Sequence, residues 1–314
     1  MKKTASKRDL LTLFDLTPNE LLKILSRAAY YKKQRKQKKL SAYLKGKNVA
    51  LVFEKPSTRT KVSFDVAVNE LGGHSVSLQS DSSQLGRGET YEDTAKVLSR
   101  YVQGIVIRTF GQEGLEELAQ ASSIPVINAL SDFCHPCQVL ADLLTIQEHK
   151  DKKLQTTVSY IGDGNNMTNT WIMAALMLGF PLKVATPQGY EAQVDEIKKY
   201  AAKFPAYQKN WKNITLSHDP EDGVKDVSVV NTDTWFSMGQ EVSDEKRKLF
   251  EPFQLNASLM KKAKKDAIVL HCLPAHRGEE VTDDVLDGPQ SRIWDEAENR
   301  LHVQKAVLEF LVRK

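Results

Sequence analysis

Strand–helix alternation along the whole chain predicts an α/β fold: two doubly wound parallel-sheet domains with the active site in the cleft between them. Three observations carry this expectation. Short apolar runs rich in Val, Ile and Leu alternate with amphipathic segments in both halves of the sequence. The 314 residues exceed what one hydrophobic core usually serves. The polar outliers fall just after the predicted strands, where open α/β sheets bind their ligands.

The elements follow in order. A helical pattern runs from Pro18 to Tyr31. The spacing then predicts strands at Val49–Phe53, Ser75–Leu78, Gly104–Ile107 and Pro125–Asn128. Between them lie helices at Lys61–Leu71, Tyr91–Tyr101 and Gln112–Ser122; Thr90 suits an N-cap, and Gly72-Gly73 stops the first of the three. The second half repeats the rhythm, with strands at Thr156–Ile161, Leu182–Ala185, Ile214–Leu216, Val227–Asn231 and Ala267–Leu270. Its helices are expected at Thr168–Leu178, Ala192–Lys203, Glu221–Val224 and Asn256–Ala263. The helix Val139–Glu148 and the charged segment after it mark the crossing between domains, placed at residues 1–147 and 148–296. A last apolar-striped helix, within 297–314, is expected to pack back on the first domain.

Composition narrows the class. Lys and Arg number 44 against 40 Asp and Glu, an ordinary balance for a globular protein. No apolar run is long enough to span a bilayer, and the basic start Met1–Arg8 leads into no signal-peptide core, so a cytoplasmic protein is expected. The densest basic run, Lys32–Lys39, closes a helical pattern and lacks interleaved aromatics; it reads as a solvated helix end, and no nucleic-acid or membrane partner is expected. Three cysteines are too few for a disulfide framework. Cys134-His135-Pro136-Cys137 nonetheless has the C-x-x-C spacing of a redox pair and keeps a thiol–disulfide exchanger open as a rival. A zinc site lacks a second ligand pair.

The polar outliers carry the chemistry. Ser57-Thr58-Arg59-Thr60 sits between a strand and a helix start, where free N–H groups and the helix dipole attract anions. The hydroxyls and the Arg59 fork suit phosphate oxygens. Arg108, His135 with Gln138, Gly162–Asn166, Asp233 and Cys272-Leu273-Pro274 follow other strands. Each has a bland reading alone: a cap, an ion pair, a turn or a packed thiol. Gly162-x-Gly164 invites a dinucleotide reading, but the third glycine would fall at Met167. Six polar groups at six carboxyl ends favour a small anionic ligand.

Three motifs then carry a resemblance: Ser57–Thr60, His135-Pro136-Cys137-Gln138 and His271-Cys272-Leu273-Pro274. Together they resemble the aspartate/ornithine carbamoyltransferase family, and the likeness runs almost end to end, through Gln84–Glu89 and Asp295–Arg300. Asp163–Asn166, Asp233 with Ser237-Met238-Gly239, and Cys272 resemble its ornithine-using branch.

The resemblance implies transfer of a carbamoyl group from carbamoyl phosphate to the δ-amine of ornithine, giving citrulline and phosphate, as in arginine biosynthesis. It implies that carbamoyl phosphate is bound through Ser57, Thr58, Arg59, Thr60, Arg108, His135, Gln138, Cys272, Leu273 and Arg300, the first domain being the carbamoyl phosphate-binding one. Gln84 is expected from a neighbouring subunit of a homotrimer. The second domain would hold ornithine through Asn166, Asp233, Ser237 and Met238. Arg108, His135, Asp233 and Cys272 are the expected catalytic groups. Neither a metal nor an organic cofactor is called for. A non-catalytic metabolite-binding protein on the same fold is the other rival; a missing catalytic position would favour it, and none is missing.

Overall fold

The computed structural model describes residues 7–79, 88–236 and 243–312. The chain divides into two compact units, Met1–Leu140 with Arg300–Lys314, and Ala141–Asn299. The division falls inside two helices rather than at the charged segment after Glu148, because both helices run on unbroken across it.

The first unit begins with helix α1 (Pro18–Lys36), started by Thr17 and Glu20 in a reciprocal capping box with Pro18 in the first turn. It continues with β1 (Asn48–Phe53), α2 (Thr58–Glu70), β2 (His74–Gln79), α3 (Tyr91–Tyr101), β3 (Ile105–Arg108), α4 (Gln112–Ala121) and β4 (Val126–Leu130). The strands form an all-parallel sheet in the order β2-β1-β3-β4. Parallel strands covered on both faces read as continuous apolar runs, and Val49–Phe53 and Ile105–Arg108 are buried throughout. One face, with Ala50, Val52, Ile105 and Ile107, packs on Ala95 and Leu98 of α3 and Leu115 and Leu118 of α4. Each fully buried Leu or Ile there contributes about 1.5–3 kcal/mol of transfer free energy. The edge strand β2 is mostly exposed.

The second unit takes over in α5 (Pro136–His149). There follow β5 (Val158–Ile161), α6 (Asn166–Leu178), β6 (Leu182–Ala185), α7 (Val194–Ala201), α8 (Pro205–Gln208), β7 (Ile214–Ser217), α9 (Pro220–Val224), β8 (Val229–Thr232), α10 (Asp244–Phe250), α11 (Ala257–Met260), β9 (Ile268–His271) and α12 (Asp283–Leu286). Helix α13 (Ile293–Leu311) closes the chain and re-enters the first unit at Arg300. The five strands are parallel, in the order β7-β6-β5-β8-β9. Helix α6 is buried from Met167 to Met177 and wholly apolar from Trp171 to Leu178, as a core helix should be. Asn165 caps its start, and Gly179, at φ +79°, ends it with its N–H on the Ala175 carbonyl.

Both sheets share one topological feature. The chain enters at an inner strand, winds outward on one side, then returns to build the other side. The strand order therefore reverses between β1 and β3 in the first sheet and between β5 and β8 in the second. Such switch points open a crevice at the carboxyl ends, where ligands bind. The residues there are Ser57–Thr60 and Arg108 in one unit, Gly162–Asn166 and Asp233 in the other. No helix among the described residues is long and apolar enough to cross a membrane.

Candidate active site

In the first unit, α2 starts at Thr58, one turn earlier than the apolar spacing predicts. The reason is the cap: the Ser57 hydroxyl accepts the Thr60 N–H at 3.3 Å. Thr58, Arg59 and Thr60 thus form the first turn of a thirteen-residue helix, at the positive end of its dipole. Thr58 is exposed and Arg59 half-buried, whereas Thr60 is buried and its hydroxyl accepts from Arg300 Nη2 at 2.6 Å. The opening turn of α2 is thereby tied to α13 by a charge-assisted bond.

Arg108 ends β3 and is buried; His135 and Gln138 flank the start of α5 and are buried too. Burial, then the nearby charges of Arg300 and Arg108, push the His135 pKa well below its usual value. His135 is therefore a neutral imidazole with one N–H to donate. Two residues that sequence reasoning passed over brace this region. The Glu54 carboxylate accepts from the Tyr91 hydroxyl at 2.9 Å and from Thr109, tying β1 to α3 and to the end of β3. The buried Lys55 ammonium pairs with Asp132 and lies 4.2 Å from the Phe110 ring centroid.

The C-x-x-C pair lies here as well. Cys134 and Cys137 are free and fully buried. The Cys134 thiol meets the Leu11 carbonyl at 3.3 Å, and burial pushes its pKa up. The Cys137 thiol meets the Asn128 carbonyl at 3.5 Å and is pushed up to about 12 by burial. Thiol exchange needs an accessible thiolate, so these are packing residues.

In the second unit the turn after β5 is shaped by its glycines. Gly162 has φ +129°, and a Cβ on Gly164 would collide with the Tyr190–Glu191 backbone. The glycines thus serve backbone shape and close packing. Asn165 Oδ1 accepts from the Met167 N–H at 2.9 Å and from the Tyr160 hydroxyl at 3.2 Å; its Nδ2 donates to Asp233 Oδ2 at 2.8 Å. The other Asp233 oxygen accepts the Thr234 N–H at 2.8 Å and the Cys272 thiol at 2.9 Å. Asp233 is buried, and three donors, Asn165, Thr234 and Cys272, hold its carboxylate. Burial first, and the Asp233 charge next, raise the Cys272 pKa well above normal, so Cys272 is a neutral thiol donor. Asn166, the first residue of α6, is half-buried beside this turn.

The Cys272-Leu273 backbone leaves β9 with Leu273 at φ +60°. Its geometry is set from behind. Leu273 N–H donates to His271 Nδ1 at 2.9 Å, so the ring proton sits on Nε2 and is given to Glu280 Oε1 at 3.0 Å. The His271 N–H donates to Glu296 Oε2 at 2.8 Å. Asp233, His271 and Cys272 each offer a metal-ligand atom within 4.8 Å of one another, as do His276, Glu279 and Glu280. In the first set the thiol is protonated and the groups already bond to neighbours. Gln84, Ser237 and Met238 lie outside the described residues.

Two family models match the chain. Residues 8–148 match the aspartate/ornithine carbamoyltransferase carbamoyl-P binding domain, and residues 154–311 match the Asp/Orn binding domain of the same family. The chain belongs to the aspartate/ornithine carbamoyltransferase family. It is 52% identical over 306 residues to an ornithine carbamoyltransferase of Pyrococcus horikoshii, covering 97% of this chain and 96% of that one. The Geobacter metallireducens ornithine carbamoyltransferase is 49% identical over 307 residues, covering 98% and 99%. Among solved structures, ornithine carbamoyltransferase from Pyrococcus furiosus superimposes with a TM-score of 0.92 at 50% identity, covering 98% of this chain and 97% of that one.

Proposed function

We infer that the two half-sites divide one reaction between them: transfer of the carbamoyl group from carbamoyl phosphate to the δ-amine of L-ornithine, yielding L-citrulline and phosphate. The observation that carries this reading is the pairing of a capped helix turn at one sheet's switch point with a buried carboxylate held by three donors at the other's. The first suits a phosphate dianion; the second suits an α-ammonium.

In this assignment Ser57, Thr58, Arg59 and Thr60 hold the phosphate, and Arg300 steadies Thr60. The uncharged δ-amine attacks the carbamoyl carbon, and negative charge builds on the carbonyl oxygen. Arg108, neutral His135 and Thr58 donate to that oxygen. Gln138 and the Cys272-Leu273 backbone hold the carbamoyl amide. The C–O bond to phosphate then breaks, the departing phosphate takes the proton that the δ-nitrogen gives up, and Arg59 with the α2 dipole stabilises that anion. Asn166 donates to the ornithine carboxylate, and Asp233 with Ser237 accepts from its α-ammonium, beside Met238. Cys272 acts as a thiol donor that orients Asp233. The resident proton argues against its serving as a thiolate base.

Relatives named anabolic, from Pyrococcus furiosus and Campylobacter jejuni, support the biosynthetic direction, toward arginine. We also place the chain in the cytoplasm as a homotrimer in which Gln84 reaches a neighbouring site. Sedimentation of the purified protein tests the trimer, and a monomer with full activity would overturn it. A citrulline assay tests the reaction, with ornithine, putrescine and aspartate compared side by side. Ornithine should be strongly preferred; preference for aspartate or indifference between ornithine and putrescine would overturn the reading.

A further inference from the structure

We propose that Lys246 is a positioning residue for the ornithine half-site, holding the Asp163–Asn165 turn and, through it, the Asp233 carboxylate. This rests on the assignment of Asp233 to ornithine. Lys246 lies in the short helix α10 and is 8% exposed. Its ammonium sits 4.8 Å from the Tyr190 ring centroid, 5.0 Å from Phe250 and 5.3 Å from Phe236. It reaches Asp163 Oδ2 at 3.4 Å, and both side chains are 8% exposed.

A buried ammonium is costly unless charge and geometry compensate it, and a lysine needed only for packing would keep its charge in water. The neighbouring Arg247 shows that alternative. It is half-exposed and pairs at the surface with Glu279 and Asp244. Lys246 instead points inward to an aromatic cage and reaches the Asp163 carboxylate beside it.

That carboxylate belongs to the turn that sets the site. The Asp163 carbonyl accepts the Thr168 hydroxyl at 2.8 Å, and Gly164 N–H bonds to the Tyr190 carbonyl at 2.9 Å. Tyr190 is therefore both a wall of the Lys246 cage and a backbone anchor of the turn. Two residues on, Asn165 caps α6 and donates to Asp233 at 2.8 Å. Burial disfavours the Asp163 charge, the Lys246 ammonium works against that, and the Asp233 charge adds to it. Removing its charge leaves Asp163 buried without a counter-ion. The turn then shifts, and Asn165 no longer presents Asp233 at the same place.

The test compares Lys246→Met, Lys246→Arg, Asp163→Asn and the double variant Lys246→Met/Asp163→Asn in the full chain. Methionine keeps the apolar stem inside the cage and removes the charge. The ornithine KM should rise at least ~tenfold in Lys246→Met while the carbamoyl phosphate KM stays within about twofold, a split that general destabilisation does not give. Lys246→Arg should recover part of the loss. The double variant should be no worse than the poorer single variant, since both remove one interaction. An unchanged ornithine KM in folded Lys246→Met would overturn the proposal. So would a parallel rise in both KM values, or single effects that simply add. If Lys246→Met does not fold, the double variant decides, because neutralising both partners removes the buried uncompensated charge. It should fold with a raised ornithine KM, and a wild-type value would overturn the proposal. Putrescine run beside ornithine separates the two readings. Wild-type protein that uses both equally would remove the Asp233 assignment itself. Wild-type selectivity for ornithine that survives in Lys246→Met would remove only the Lys246 role.

Discussion

The two switch points present charge by opposite means. At the first, the opening turn of α2 gathers hydroxyls, N–H groups and Arg59, and the buried His135 of the same unit is kept neutral. At the second, a buried anion, Asp233, waits among donors from Asn165, Thr234 and Cys272. The first site is mostly one continuous segment on one helix. The second is assembled from the ends of β5, β8 and β9, so each member depends on braces behind it. The same fold thus makes a local anion cradle and a distributed cation acceptor. The distributed one should be the more fragile.

The largest loss should come from Asp233→Asn. A pocket left with an unpaired polar ligand group typically loses about 2–5 kcal/mol. Steady-state kinetics should show kcat/KM for ornithine falling by at least ~thirtyfold, the lower end of that range. Wild-type turnover in the variant would show that Asp233 only braces Asn165.

Arg59→Ala comes next. Each charge-assisted bond lost contributes about 1.5–3 kcal/mol. Calorimetry with a phosphonate bisubstrate analogue should show at least ~tenfold weaker binding. Unchanged affinity in folded protein would leave the turn with a capping role alone.

A smaller effect concerns Asp163. Burial raises its pKa from 3.8 to about 6 against the opposing pull of Lys246. A carboxyl with a raised folded-state pKa binds its proton more tightly in the folded state than in the unfolded one. Between about pH 4 and 6 this group therefore lowers stability as pH rises, and above about 6 its contribution is level. Denaturant melts at pH 4 and 6.5 should show a decrement in the wild type that Asp163→Asn lacks. Equal pH dependence in both proteins would contradict the assignment.

The smallest change should be Cys134→Ser, which keeps most of the carbamoyl-transfer activity in reducing and mildly oxidising buffers. A Cys134–Cys137 disulfide seen by mass spectrometry with altered turnover would revive the exchange reading.

The contrast also governs what could be read before folding. The inner strands were legible as apolar runs because strands buried on both faces read as near-continuous Val, Ile and Leu, whereas the edge strands β2 and β7 are largely exposed and carry a weaker signal. The local half-site was legible for the same reason that it is robust: Ser57–Thr60 are contiguous, and a cap precedes a helix. Boundaries slipped where capping overrides periodicity, as at Thr58, or where a helix starts before its apolar stripe, as at Ile293. Helix α10 was missed because only Lys246 and Phe250 face inward, too few residues to show a period. Lys246 itself sits in a charged run that looks solvated, and nothing local distinguishes it from Arg247. Glu280 and Asn165 act across the fold, and only the tertiary structure joins them to His271 and Asp233.

The division of labour between the half-sites is tested most directly by crossing two variants with two ligands. Arg59→Ala and Asp233→Asn would each be measured for calorimetric affinity toward a phosphonate analogue of carbamoyl phosphate. Each would also be measured for ornithine KM at saturating carbamoyl phosphate. The account predicts that Arg59→Ala weakens the phosphonate at least ~tenfold, and that Asp233→Asn leaves it within about twofold while raising the ornithine KM. Loss of phosphonate affinity in Asp233→Asn equal to that in Arg59→Ala would contradict it.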